Sequence, residues 1–135
     1  MRTRIFLAAL AVVAACGTTE PVDDGLQFAT KGSRFEPGGV ITVELTNGSA
    51  KDVGYNFCQR FWERKVVLGW ERTYETSICT PAFEPLAAGQ KTQATLGVPY
   101  GLVPGTYRVS AALLVDENAK PILSNEFAIE LGEQR

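Results

Sequence analysis

From Leu26 onward, apolar and polar residues alternate in steps of two, the period of a strand with one buried face. Residues 40–46 alternate most cleanly, with Ile41, Val43 and Leu45 on one side and Thr42, Glu44 and Thr46 on the other. Thr92, Ala94, Leu96 and Val98 mark the inner face of another strand, and Tyr107, Val109, Ala111, Leu113 and Val115 that of a third. The return from Pro121 reads as one strand to Leu131, with Leu123, Phe127, Ile129 and Leu131 turned to the core. A weaker strand is expected at 26–28. Turn residues punctuate these runs: the cluster at 35–39, Asn47-Gly48-Ser49, a connection at 83–90 holding Pro85 and Gly89, Pro99, Pro104-Gly105, and the polar loop 116–120. Short strands separated in this way predict an all-β antiparallel sandwich of about seven strands over 26–132, followed by a tail at 133–135.

The sandwich is organised around residues 53–80, which hold two of the three cysteines, both tryptophans and two of the four tyrosines. Each arm of this stretch is rich in aromatic and β-branched residues without helical spacing, so it reads as two antiparallel strands closed by a disulfide between Cys58 and Cys79. Simple alternation puts Val53, Tyr55, Phe57 and Phe61 on one face. Between the arms lies Val66-Val67-Leu68, three aliphatic residues where a hairpin tip ordinarily carries Gly, Asn, Asp or Ser.

The first residues belong to an address rather than to the fold. Met1-Arg2-Thr3-Arg4 is a basic start, residues 5–13 are an apolar run too short to span a bilayer, and Val13-Ala14-Ala15-Cys16 resembles the bacterial lipobox. The expectation is a lipoprotein signal peptide at 1–15 and diacylglycerol on Cys16. Lipidation accounts for the odd cysteine and leaves Cys58 and Cys79 as a pair in an oxidising compartment. Residues 16–25, built of Gly, Thr, Pro and acids, read as a flexible tether. Gly17 after the cysteine, rather than Asp, favours the outer membrane if the cell has one.

Composition narrows the chemistry. The 135 residues are 45% hydrophobic and 21% charged, with a formal charge of -2; without Arg2 and Arg4 the 13 basic residues become 11 against 15 acidic, about -4. That balance argues against nucleic acid as a partner. Histidine is absent, which removes the commonest metal ligand and general base. Asp23 with Asp24, Glu71 with Glu75 and Asp116 with Glu117 read as solvated charge, Ser33, Ser49, Ser77 and Ser110 stand in no catalytic motif, and Cys58 and Cys79 are far from CxxC spacing. No catalytic residue, metal site, cofactor or small-molecule substrate is expected.

Cys58, Trp62-Glu63-Arg64-Lys65, Gly69-Trp70, Cys79, residues 86–89 and the run from Pro99 to Arg108 resemble, in order and spacing, the bacterial immunoglobulin-like domain of small secreted proteins and lipoproteins. The resemblance covers about 38–131. It implies an immunoglobulin-like sandwich and an extracytoplasmic location, and it carries no catalytic residues. The chain departs from the family where Trp62 replaces the usual Leu and where Val66-Val67-Leu68 replaces a polar turn. The family position implies an inward Trp62, against the alternation of its arm; a β-bulge between Phe57 and Trp62 would reconcile the two.

The resulting expectation is a non-enzymatic lipoprotein of the bacterial cell envelope, an immunoglobulin-like binding or structural module held to the membrane through Cys16. Its contact surface, toward an envelope protein, would be Val66, Val67, Leu68, Arg64 and Lys65, with Glu63, Glu71 and Arg72 completing a charged rim. The alternative is a proteinase-inhibitor-like protein acting through the 66–68 loop.

Overall fold

The structure, a computed structural model, describes residues 25–75 and 78–133; the expected signal peptide at 1–15 and the expected lipidation site Cys16 lie outside the described residues. The described chain forms eleven strands and no helix: β1 (Leu26–Lys31), β2 (Arg34–Phe35), β3 (Val40–Asn47), β4 (Val53–Asn56), β5 (Phe61–Val66), β6 (Gly69–Glu75), β7 (Glu84–Leu86), β8 (Lys91–Gly97), β9 (Gly105–Val115), β10 (Asn118–Leu123) and β11 (Phe127–Ile129). They make a β-sandwich. One sheet is β1-β3-β8, all antiparallel; the other runs β2-β11-β9-β4-β7, with β10 and β5 also on β9 and β6 on β5.

The eleven-residue β9 is the spine of the larger sheet. One of its edges is lined by β5 and then β4, the other by β11 and then β10. Its inward residues Tyr107, Val109, Ala111 and Leu113 meet Ile41, Val43 and Leu45 of β3 in the core, together with Leu26, Phe28, Val53, Trp62, Leu86, Leu96, Phe127 and Ile129. Each large aliphatic or aromatic side chain withdrawn from water here stabilises by about 1.5–3 kcal/mol. Trp62 is 0% exposed and meets Phe127 edge-on, with ring centroids 5.9 Å apart.

The inward Trp62 is borne out, and the device that turns it differs from the expected single bulge. Tyr55 pairs with Leu113 and Trp62 with Val109, so seven positions on this arm run beside four on β9. The surplus of three residues, spent in an excursion at 57–60, is odd and therefore inverts the face of everything after it. A separate register shift sits between Trp62 and Glu63 on the β6 side, where Thr73 donates its hydroxyl to Trp62 O at 3.2 Å.

Other expectations need correction. The strands number eleven rather than seven because several long runs are interrupted. Residues 121–131 are not one strand: Leu123 pairs with Ser110 and Phe127 with Tyr107, four positions against three, so the face flips between them. Leu123 is consequently 38% exposed rather than core, and Leu131, beyond the end of β11, is 71% exposed. The connection at 83–90 contains β7, the sheets include one parallel pair, β2 with β11, and β4 pairs with β7 and β9 rather than with β6.

Serines patch both interruptions. Ser124 Oγ accepts Val109 N–H at 3.0 Å, and Ser110 Oγ accepts Phe61 N–H at 3.1 Å, so the backbone donors opposite each gap stay paired. At the start of β9, Tyr107 OH donates to Val103 O at 2.7 Å, four residues back, in the geometry of a tyrosine corner.

Candidate functional site

The contact residues expected from sequence meet on the β5–β6 hairpin. Val66 pairs with Gly69, leaving Val67 and Leu68 as a two-residue tip. Neither tip residue has a positive φ; the unusual conformation falls on Gly69, at φ +134°. Gly lacks the Cβ that would clash there, so aliphatic residues occupy the tip without backbone strain. Val67 is 100% exposed and Leu68 97%. The tip therefore presents two bare aliphatic side chains, a cost in water that nothing in the turn geometry demands.

Below the tip the charges are already engaged. Arg64 lies 3.7 Å from Glu71, and Lys65 Nζ donates to Glu126 at 3.0 Å while lying 5.8 Å from the centre of the Trp70 ring. Arg64 also runs its aliphatic stem past Gly105. Glu63 does not join a rim: its carboxylate accepts from Arg108 Nε and Nη2, both at 2.8 Å, on the outer sheet face, where both side chains are largely covered. The Arg108 guanidinium lies 4.1 Å from the Trp70 ring centre, and that of Arg72 3.6 Å from the Phe61 ring centre. These stacked pairs stiffen the outer face that carries the tip.

Cys58 and Cys79 form a disulfide with Cα atoms 5.7 Å apart, as expected. Both cysteines lie outside the strands, so the bridge ties the 57–60 excursion to the segment after β6 rather than closing two paired arms. Asn56 works beside it. Its Oδ1 accepts Cys58 and Gln59 N–H, and its Nδ2 donates to Thr80 and Ala82 carbonyls at 2.9 Å. Sequence reading missed this residue and the equivalent Asn47, whose Nδ2 donates to Lys51 O and Leu86 O and whose Oδ1 accepts Ser49 N–H and Oγ–H. An Asn closing a strand just before a turn was the available signal, but it reads as a turn former rather than a buried clamp.

Burial raises the Tyr107 phenol above its ordinary pKa, against the opposing effects of the Arg64 charge and the hydrogen bond to Val103. Among the described residues no group of three or more Cys, Asp or Glu is placed to hold a metal ion.

The chain matches no protein-family model and no curated protein. Among solved structures it is similar to a β-glucosidase from Listeria innocua in complex with gluconolactone, with 16% identity and a TM-score of 0.36. The match takes in 79% of this chain and 16% of that one. A likeness at that level carries no argument about fold family or activity.

Proposed function

We propose that the protein is a non-enzymatic, lipid-anchored module of the bacterial cell envelope, an immunoglobulin-like domain that binds an envelope protein through the β5–β6 tip. The lipobox-like Val13-Ala14-Ala15-Cys16 supports the anchor, and a disulfide supports an oxidising compartment. The tyrosine corner of Tyr107 supports the immunoglobulin-like reading of the sandwich. The single observation that carries the binding role is the tip itself: two aliphatic side chains, bare to solvent, above the charges of Arg64, Glu71 and Lys65, each of which is paired. The proteinase-inhibitor alternative is disfavoured by the same hairpin, because a two-residue turn offers no extended segment to lie along a protease cleft.

Replacing Val67 and Leu68 together with Ser tests the reading. Surface positions of this kind change stability by less than about 0.5 kcal/mol. The double variant should melt with the parent protein and lose the partner that a photo-crosslinker at Tyr100 or Val103 captures from native envelopes. A large drop in melting temperature, or unchanged capture, would sink the tip contact. Mass spectrometry of the membrane fraction should find acylated Cys16 at the N-terminus; an intact Met1 would remove the anchor.

A further inference from the structure

The smaller sheet, β1-β3-β8, ends in β8, which has a strand neighbour on one side only. Its two ends tell which backbone groups face the empty side. Val98 N–H donates to Gly39 O at 2.9 Å and Gln90 O accepts Asn47 N–H at 2.8 Å, so both residues turn their backbone toward β3 and its approach. Backbone direction alternates along an antiparallel pair. Thr92, Ala94 and Leu96 therefore turn the same way, and Lys91, Gln93, Thr95 and Gly97 turn their N–H and C=O outward. The same parity puts Thr30 N–H on the outer side of β1, where Asn125 Oδ1 accepts it at 2.8 Å.

Sheet edges are ordinarily blunted against pairing with another chain. The other edges of this sandwich carry such devices. Asn125 caps β1, β2 is two residues long, and β7 has three residues that include Glu84 and Pro85. β6 carries Glu71 and Arg72 and a register shift against β5, and β10 carries Lys120 and Pro121. β8 has none of these: its seven residues pair with β3 in unbroken register, and 92–96 contain no proline and no charge. Gln93, Thr95 and Gly97 are exposed. A cavity of about 330 Å³ adjoins them, lined by Gln93 and Ala94 and by Tyr55, Phe57, Ala82 and Glu84. Gln93 pairs with Glu44 on the outer face and Ala94 with Val43 on the inner, so a cavity that both line lies off the edge of β8, at the gap between the sheets.

We propose that β8 accepts an extended strand of an envelope partner, which continues the smaller sheet and seats an apolar side chain in the cavity beside Ala94. An extended chain is the ligand whose own N–H and C=O groups recur every two residues, about 7 Å, as the outward groups of β8 do. Side chains that it turns inward meet the Tyr55 and Phe57 rings, and those that it turns outward meet Gln93 and Thr95, so alternating apolar and polar residues are the pattern that fits. A second copy fits less well. A two-fold joining β8 to β8 sets the strands antiparallel and sends the two Leu26 ends in opposite directions, whereas two chains anchored in one membrane start from the same side. This choice of occupant rests on the lipid anchor proposed above; the strand site itself is independent of the anchor and of the hairpin tip.

The probe is a fluorescein-labelled octapeptide of alternating Thr and Val between terminal lysines, blocked at both ends, titrated into the full-length chain in detergent and followed by polarisation. The expected result is saturable binding, abolished when the two central residues of the peptide are replaced by proline. Thr95→Pro removes an outward donor and no bond to β3, a change that an edge strand tolerates, and should weaken binding at least tenfold. The tip variant V67S/L68S should bind the peptide as the parent does. Amide hydrogen exchange at Gln93 and Thr95 should slow when the peptide is added, in alternation with Ala94, whose N–H already pairs with β3. Failure to saturate, parental affinity of the proline peptide or of Thr95→Pro, or unchanged exchange at Gln93 and Thr95 would overturn the proposal. Loss of binding in V67S/L68S would overturn it by moving the peptide to the tip. A peptide-free dimer that Thr95→Pro dissociates would overturn the foreign strand and assign the edge to a second copy. If Thr95→Pro fails to fold, the exchange pattern and the proline peptide decide the matter in the parent protein.

Discussion

Asn47 is fully buried and all four of its side-chain hydrogen bonds are made within the chain. Its backbone is used as well: the N–H donates to Gln90 O and the carbonyl accepts Gly89 N–H. One residue thus ties β3 to the turn after it and to the β7–β8 connection. Removing a buried partner leaves its neighbours unsatisfied, and this cost exceeds the net worth of the bonds themselves. Asn47→Ala should therefore destabilise by about 2–4 kcal/mol, read as a lower urea midpoint at an unchanged slope. Asn47→Asp should be no better, since a carboxylate cannot donate to Lys51 O and Leu86 O. A loss below about 0.5 kcal/mol, the level of an ordinary surface change, would contradict the clamp.

At the scale of elements, the two hairpins at opposite ends of the larger sheet solve the turn problem differently. The β5–β6 turn delegates its strain to Gly69 and leaves the tip free to be aliphatic. The β9–β10 turn instead places Asp116 at φ 48° and Glu117 at φ 66°, both left-handed, as a two-residue type I′ turn requires. Gly or Asn suits the second of these positions, and a residue with a long side chain is strained there by about 1 kcal/mol. Glu117→Gly should stabilise by about 0.5–1 kcal/mol after the entropy that Gly costs in the unfolded chain, a rise of a few degrees in Tm. A fall in Tm would mean that Glu117 makes a contact outweighing its strain. The disulfide works at the same scale. By closing a loop with a sequence separation of 21 it contributes about 3 kcal/mol, and it holds an excursion that has no strand partners of its own.

At the scale of the whole molecule, the ends of the sandwich differ. Leu26, the first residue of β1, pairs with Asn47 beside the ends of β4, β7 and β9. The opposite end carries the β5–β6 tip, the start of β9 and the 98–104 connection. Of the ten exposed large apolar residues among the described ones, Val40, Val66, Val67, Leu68, Tyr100, Val103 and Leu131 lie at that opposite end. An eleven-residue strand is roughly 35 Å long, so the apolar end stands about that far from Leu26. In a lipid-anchored protein this directs the contact surface away from its own membrane. Both tryptophans lie in that distal half, on β5 and β6. Tryptophan emission of the protein in vesicles with brominated acyl chains should be unquenched; strong quenching would place the tip in the bilayer and reverse the orientation.

What the sequence determined by itself was local and periodic. The alternation at 40–46 and 106–115 is a property of neighbouring residues, and it named the inward faces of β3 and β9 without any knowledge of what they meet. The cysteine count led to the 58–79 bridge, and aliphatic residues between charges marked the tip. What only the tertiary structure decided was counted between strands. Whether Trp62 and Leu123 face in or out depends on how many residues their strand spends beside β9: a surplus of three turns Trp62 inward, and a surplus of one turns Leu123 outward. The clamps made by Asn47 and Asn56 join residues from separate elements. A chain read along its length carries no record of such surpluses, because face parity is fixed by the partner strand and not by the strand itself.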